Sequence, residues 1–335
     1  MAGGPSTVAL ATAVSEAGGM GFLASGYGRT GKLREQIHAL RSATAAPFGV
    51  NLFVPGREDF DRAAVTGYLR QLAPEAERYG TSLAEPRNDE DDWVDFLGVL
   101  TDERPPAASF VFGCPTADEV ARLRDRGISV WVTVTDPSEA VIAQQRGADA
   151  VIVQGSQAGG HRGGFTDGHL GEDLALLPLL RLTRGVCSLP LIAAGGVSDG
   201  AGVAAALSAG AAAAQMGSAF MLADEAATHP AHRARLATPA ATGLTRAFSG
   251  RRARGIINRF QAEYTPIAPP AYPQIHYATS PLRAAARKVG DAEGFNLWAG
   301  QAHSLAQAGP AAEIVRAIAA DAHAAASEAA RRLSF

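Results

Sequence analysis

The 335 residues are enough for one large α/β barrel or two ordinary domains. A net charge of −3 supplies no basic field for nucleic acid or an anionic membrane surface, and 47% apolar with 19% charged residues is ordinary for a soluble globular chain. Two cysteines, Cys114 and Cys187, make neither a disulfide framework nor a metal spacing; no signal-peptide pattern opens the chain, and no apolar run reaches the ~18–20 residues of a membrane span, so a cytoplasmic, metal-free protein is expected.

The opening MAGGPSTVALATAVSEAGG reads as a loop followed by a helix, with no strand before it. Short β-rich runs then recur: GFLAS (21–25), FGVNLFV (48–54), SFVFG (109–113), SVWVTVT (129–135), AVIVQG (150–155), PLIAAGG (190–196) and AAAQMGSAF (212–220). They are continuous apolar runs, so both faces are expected to be buried. Between them, PTADEVARLRDRG and DPSEAVIAQQRGA begin with a capping residue and end in glycine, as helices do. The rhythm predicts an α/β fold: a (β/α)8 TIM barrel over residues 1–224, lacking its first strand in the chain as given. Residues 225–305 break the rhythm with THPAH, RAFSGRRARGIINRF and TPIAPPAYPQIHY, and read as a smaller, mostly helical second domain that caps the barrel. Residues 306–335 read as a helix returning to the barrel.

Two strand ends point to a phosphate. PLIAAGGVSDG ends its strand in Gly195 and Gly196 before a helix, and AAAQMGSAF ends in Met216, Gly217 and Ser218. Backbone N–H groups at such junctions hold anions, and these are the loops after strands seven and eight of a barrel. Three amides, Asn51, Gln154 and Gln215, sit in or at the end of apolar strands, where a buried amide needs a partner. The partner is either a neighbouring strand end or a heteroaromatic ligand such as a flavin. His161 stands between glycine pairs in AGGHRGGF (158–165), at the catalytic face, and reads as a catalytic side chain. His169 and His229 read as surface or packing residues, and Asp199 and Asp224 as helix caps.

The stretches GPSTVALATAVSEAGGMGFLASGY, PFGVNLFVP, VQGSQAGGHRG, LPLIAAGGVSDG, AAAQMGSAF and NLWAGQAH closely resemble the nitronate monooxygenase family over almost the whole chain. The resemblance implies an FMN-binding TIM barrel. Asn51, Gln154, Gly159, Gly196 and the run Gln215, Met216, Gly217 and Ser218 match flavin-contacting positions, and His161 matches the catalytic base. It further implies oxidation of a small-molecule nitronate, such as propionate 3-nitronate, or a nitroalkane, by O2 to a carbonyl compound and nitrite. For a substrate that is already a nitronate, an imidazolium at His161 would favour the anion. Tyr272, His276, Tyr277 and Trp298 are candidates for the substrate wall or for packing between barrel and cap. No partner beyond small molecules is expected, and the chain would act as a monomer or homodimer. Two alternatives share the barrel: an NAD(P)H-dependent FMN reductase of the quinone or enoyl type, and a non-catalytic flavin-binding remnant.

Overall fold

In the computed structural model the described residues are 4–25, 29–56, 59–88, 92–167 and 173–334. Ten strands occur among them: β1 (Gly21–Ala24), β2 (Phe48–Phe53), β3 (Ala107–Val111), β4 (Ser129–Val134), β5 (Ala150–Gln154), β6 (Gly160–His161), β7 (Leu191–Ala194), β8 (Ala213–Gln215), β9 (Thr242–Thr245) and β10 (Ala253–Ile256). Seven form one curled sheet in the order β1-β2-β3-β4-β5-β7-β8, and every neighbouring pair is parallel. These seven are the seven apolar runs of the sequence. Their β-branched and aromatic side chains explain the choice of strand. Val50, Phe110, Val130, Val132, Val134, Val151 and Val153 are all buried. At Gly49 a Cβ would lie 2.2 Å from the Phe22 ring, so the residue must be glycine for that ring to turn inward.

Eight helices run beside this sheet: α1 (Val8–Glu16), α2 (Thr30–Ala43), α3 (Arg62–Arg78), α4 (Trp93–Glu103), α5 (Ala117–Asp125), α6 (Pro137–Gln145), α7 (Leu176–Val186) and α8 (Gly200–Ser208). Local chemistry sets their starts. Thr116 and Glu119 close a capping box on α5, Asp136 precedes Pro137 at the start of α6, and Asp199 Oδ1 accepts the Gly202 N–H of α8 at 2.8 Å. Asp224 precedes no helix, so only one of the two expected aspartate caps is found. Among the described residues no strand pairs β1 with β8. That side is packed by α1 and by α13 (Ala311–Leu333), whose Leu10, Ala311 and Ile314 meet Phe220 and Ala223. No described helix is long and apolar enough to cross a membrane.

The 225–305 segment holds α9 (Pro230–Leu236), α10 (Arg259–Tyr264), α11 (Gln274–Ala278) and α12 (Ser280–Lys288), and also two strands that the sequence reading lacks. β9 and β10 pair antiparallel, and β10 also pairs with β6 from the glycine loop. The register sets Ala253 opposite His161. Both added strands are four residues long and carry a glycine, TGLT and ARGI, so they show no β pattern of their own. The segment is anchored on α3, where Tyr68 and Leu72 pack with Phe248, Phe260 and Ile275, and the Tyr68 hydroxyl donates to the Ala247 carbonyl at 2.6 Å.

Candidate active site

Parallel pairing sets strand ends at one level. Gln154 lies opposite Ala194, and Ala194 opposite Gln215, so two of the three amides share the C-terminal rim of the sheet. Asn51 on β2 lies opposite Ser109, whose hydroxyl donates to Asn51 Oδ1 at 2.8 Å. Gln154 holds the glycine loop: its Oε1 accepts the Gly163 N–H at 2.8 Å and Arg162 Nη1 at 3.2 Å, while its Nε2 donates to the His161 carbonyl at 3.2 Å.

The phosphate-type loops are built as glycine turns. Gly195 and Gly196 have φ of 95° and 78°, a left-handed backbone that glycine adopts without strain. A Cβ on Gly195 would also lie 2.7 Å from the Ala158 methyl. Ser218 Oγ accepts the Gly300 N–H at 2.9 Å, and the Gln301 N–H donates to the Gln157 carbonyl at 3.0 Å. The NLWAGQAH stretch is thereby tied to the Ser218 loop and to the loop after β5. A cleft of about 370 Å³ opens among Gln157, Gly195, Gly196, Gly202 and Gln301. Met216 is half-buried and packs with the core beside β8, and Gly217 precedes a single 3-10 turn over Ser218–Phe220.

Gly159 is the tightest of these joints. A Cβ there would lie 2.5 Å from Ala299 C and Gly300 N, which are backbone atoms that cannot swing away. Gly159→Ala is expected to lower stability by about 1–3 kcal/mol in urea unfolding, the usual cost of overpacking. Gly67→Ala, where nothing lies within 4 Å on the exposed side of α3, is expected to raise it by about 0.5–1 kcal/mol. Equal midpoints for the two variants would refute this account of the joint.

His161 sits on β6, with Nε2 2.8 Å from Ser249 Oγ. Its ring is surrounded by Phe112, Tyr272 and Trp298, with centroids 5.8, 5.6 and 5.5 Å away. Burial, followed by the charges of Arg251 and Arg283, pushes its pKa down to about 3. The ring is therefore neutral at neutral pH, which corrects the expectation of an imidazolium that receives the nitronate. The cationic charge near the pocket is carried by arginine instead. Tyr272 touches His161 directly. His276 lies one ring further out, 6.3 Å from Tyr272, and its pKa is also pushed well below the ordinary value by burial and by Arg283. Tyr277 meets His276 edge to face and lies under the Arg87 guanidinium. Trp298 packs on both His161 and Phe248. His229 caps α9 and packs on Phe295, whereas His169 lies outside the described residues.

Four neighbours of His161 were not singled out by sequence reasoning. Phe112 takes φ 73°, rare for a side chain of its size, and its N–H donates to the Gly163 carbonyl at 3.2 Å. The Arg251 guanidinium lies 4.3 Å over the Phe112 ring, and its Nε donates to the Arg162 carbonyl at 3.1 Å. Ser249 and Arg251 lie within FSGRRARG, where nothing local marks them, and Arg283 lies on α12. A buried arginine beside a neutral imidazole can stabilise an anion formed when the imidazole accepts a proton.

The model of the family described as nitronate monooxygenase matches residues 1–321. A protein of Pseudomonas aeruginosa named nitronate monooxygenase is 41% identical over 326 residues, which are 94% of this chain and 92% of that one. A protein of the same name from Paraburkholderia phytofirmans is 40% identical, over 93% and 88% of the two chains. Among solved structures, a nitroalkane oxidase from Streptomyces ansochromogenes superposes with a TM-score of 0.95 at 47% identity, covering 98% of this chain and 95% of that one. FabK from Thermotoga maritima superposes with a TM-score of 0.76 at 27% identity, over 99% and 94%.

Proposed function

The chain belongs to the nitronate monooxygenase family, and from that premise we infer that it oxidises alkyl nitronates, and neutral nitroalkanes after deprotonation, with O2 as acceptor and a carbonyl compound and nitrite as products. The observation that carries the reading is a neutral His161 held between aromatic rings with two arginine charges close by. The cofactor we propose is FMN. The glycine turns at Gly195 and Gly196, with the cleft beside them, and Ser218 suit one phosphate. Asn51, Gln215, Met216 and Gly217 would flank the ring system, with Gln154 and Gly159 supporting it through the glycine loop. When bound, the flavin supplies the electron transfer between substrate and oxygen.

The protein residues handle the proton and the charge. His161 accepts the α-proton of a neutral nitroalkane. Its low pKa would make it a weak base in isolation, but the nitronate formed at the same moment is an anion and stabilises the imidazolium beside it. Arg251 and Arg283 favour that anion from behind the rings. Phe112, Tyr272 and Trp298 exclude water, which strengthens these charge interactions. We also propose a cytoplasmic location, action as a monomer or homodimer, and residues 225–305 as the unit that covers the barrel mouth.

The purified protein is expected to be yellow and to release FMN on denaturation. Oxygen uptake should follow addition of propionate 3-nitronate and not of NADH. Recovery of FAD would refute the cofactor, and rapid anaerobic bleaching by NADH would favour the reductase alternative.

A further inference from the structure

Arg283 is buried behind the substrate wall, and its guanidinium reaches three parts of the His161 pocket. Nη2 donates to the His276 carbonyl at 2.7 Å, on the Tyr272 side. Nε donates to Thr279 Oγ1 at 3.0 Å, and that hydroxyl donates to the Phe248 carbonyl at 2.6 Å, one residue before Ser249 and its contact with His161. Nη1 donates to Asn296 Oδ1 at 3.3 Å, two residues before Trp298. One planar fork thus braces the tyrosine side, the serine contact and the tryptophan side, a geometry that arginine offers and lysine does not.

Its charge also faces the pocket. The groups around His161 are Arg251 from the turn before β10, Arg283 from α12, the His276 ring from α11 by way of Tyr272, and the uncharged Phe112, Ser249, Tyr272 and Trp298. Arg287, one turn further along α12, adds its charge at His276. Among the described residues, the arginine charges that lower these two imidazoles are those of Arg251, Arg283 and Arg287.

We propose that Arg283 is a positioning and specificity-determining residue that makes this pocket prefer the anionic nitronate over the neutral nitroalkane. The proposal rests on the nitronate reading above. It adds that selection between the two protonation states of the substrate is made by a guanidinium one layer behind the rings, not by His161 itself. A full charge in a poorly solvated site acts strongly on an anion and weakly on a neutral molecule.

The test uses flavin-loaded Arg283→Met and Arg283→Lys proteins, with nitrate as a planar monoanion probe. Nitrate binding is read from the change in flavin absorbance, without turnover. Arg283→Met is expected to weaken nitrate about 10-fold and to change the KM of neutral nitroethane less than about 3-fold. It should also move the acid limb of nitroethane kcat/KM to higher pH, because His161 protonates more easily once that charge is gone. Arg283→Lys keeps the charge and loses part of the fork, so nitrate binding should stay within about 3-fold while kcat falls. Equal weakening of nitrate and nitroethane in Arg283→Met, with an unmoved pH profile, would reduce Arg283 to a structural brace and overturn the proposal. Should Arg283→Met not fold, a 10-fold loss of nitrate binding in folded Arg283→Lys overturns it equally. If the wild type binds nitrate, loses it in Arg283→Met and yet consumes no oxygen with nitronates, the reaction assignment has failed and the anion selection stands.

Discussion

His161→Asn is expected to lose about 10²–10⁴-fold in kcat/KM on a neutral nitroalkane, the range for removal of a general base. Asparagine keeps a polar group near Ser249 but cannot accept the α-proton. On a pre-formed nitronate the proton is already gone, and the loss should be much smaller. The arginine charges that favour the anion remain in the variant, because Arg251 is held by the Arg162 and Gly164 carbonyls and Arg283 by His276, Thr279 and Asn296. FMN content should be unchanged, since Gly195, Gly196 and Ser218 lie in the loops after β7 and β8. Parallel assays on nitroethane and ethyl nitronate decide the matter. An equal loss on both would mean that His161 orients the substrate, and undiminished turnover of both would remove it from the reaction.

Acid should unfold this protein early. His161, His232 and His276 are all held below their ordinary pKa, chiefly by burial, and His232 Nε2 has no hydrogen-bond partner. The folded state takes up these protons only near pH 4 or below, whereas the unfolded chain takes them up near pH 6.5. Below pH 6.5 the unfolded state binds more protons, so stability falls as pH falls. Moving from pH 7.5 to pH 5.5 is expected to cost about 4 kcal/mol over the three residues, a large part of the 5–15 kcal/mol typical of a folded protein. Urea midpoints at the two pH values measure this, and His232→Gln should remove about a third of the difference. Midpoints that coincide would mean that the three rings are not neutral in the folded state.

The sequence carried the barrel well because its signal is local. Six of the seven apolar runs contain their strands, β3 starts two residues before SFVFG, and the glycine pair at Gly195 and Gly196 marks the turn that its backbone adopts. Other features depend on residues distant in the chain. Ser249 meets His161 across 88 positions, and neither flank of FSGRRARG carries a period that would aim it. Phe112 reads as one more apolar residue of SFVFG, and only the backbone shows that it leaves the strand with positive φ to face the imidazole. The neutral state of His161 was equally hidden, because it follows from burial and from two arginines 90 and 122 positions downstream. The 225–305 segment yielded its helices but not β9 and β10, which exist as strands through pairing with each other and with the glycine loop.

That pairing restricts how the pocket can open. Gly160–His161 is the third strand of the β9–β10 sheet, and the Arg162 N–H adds a bond to the Arg252 carbonyl at 2.8 Å. Swinging residues 225–305 outward as a rigid jaw would tear this ladder and drag the imidazole away from the strand ends that carry Asn51 and Gln215. Entry of substrate with this ladder intact would leave the backbone of the glycine loop, and with it the imidazole, in place.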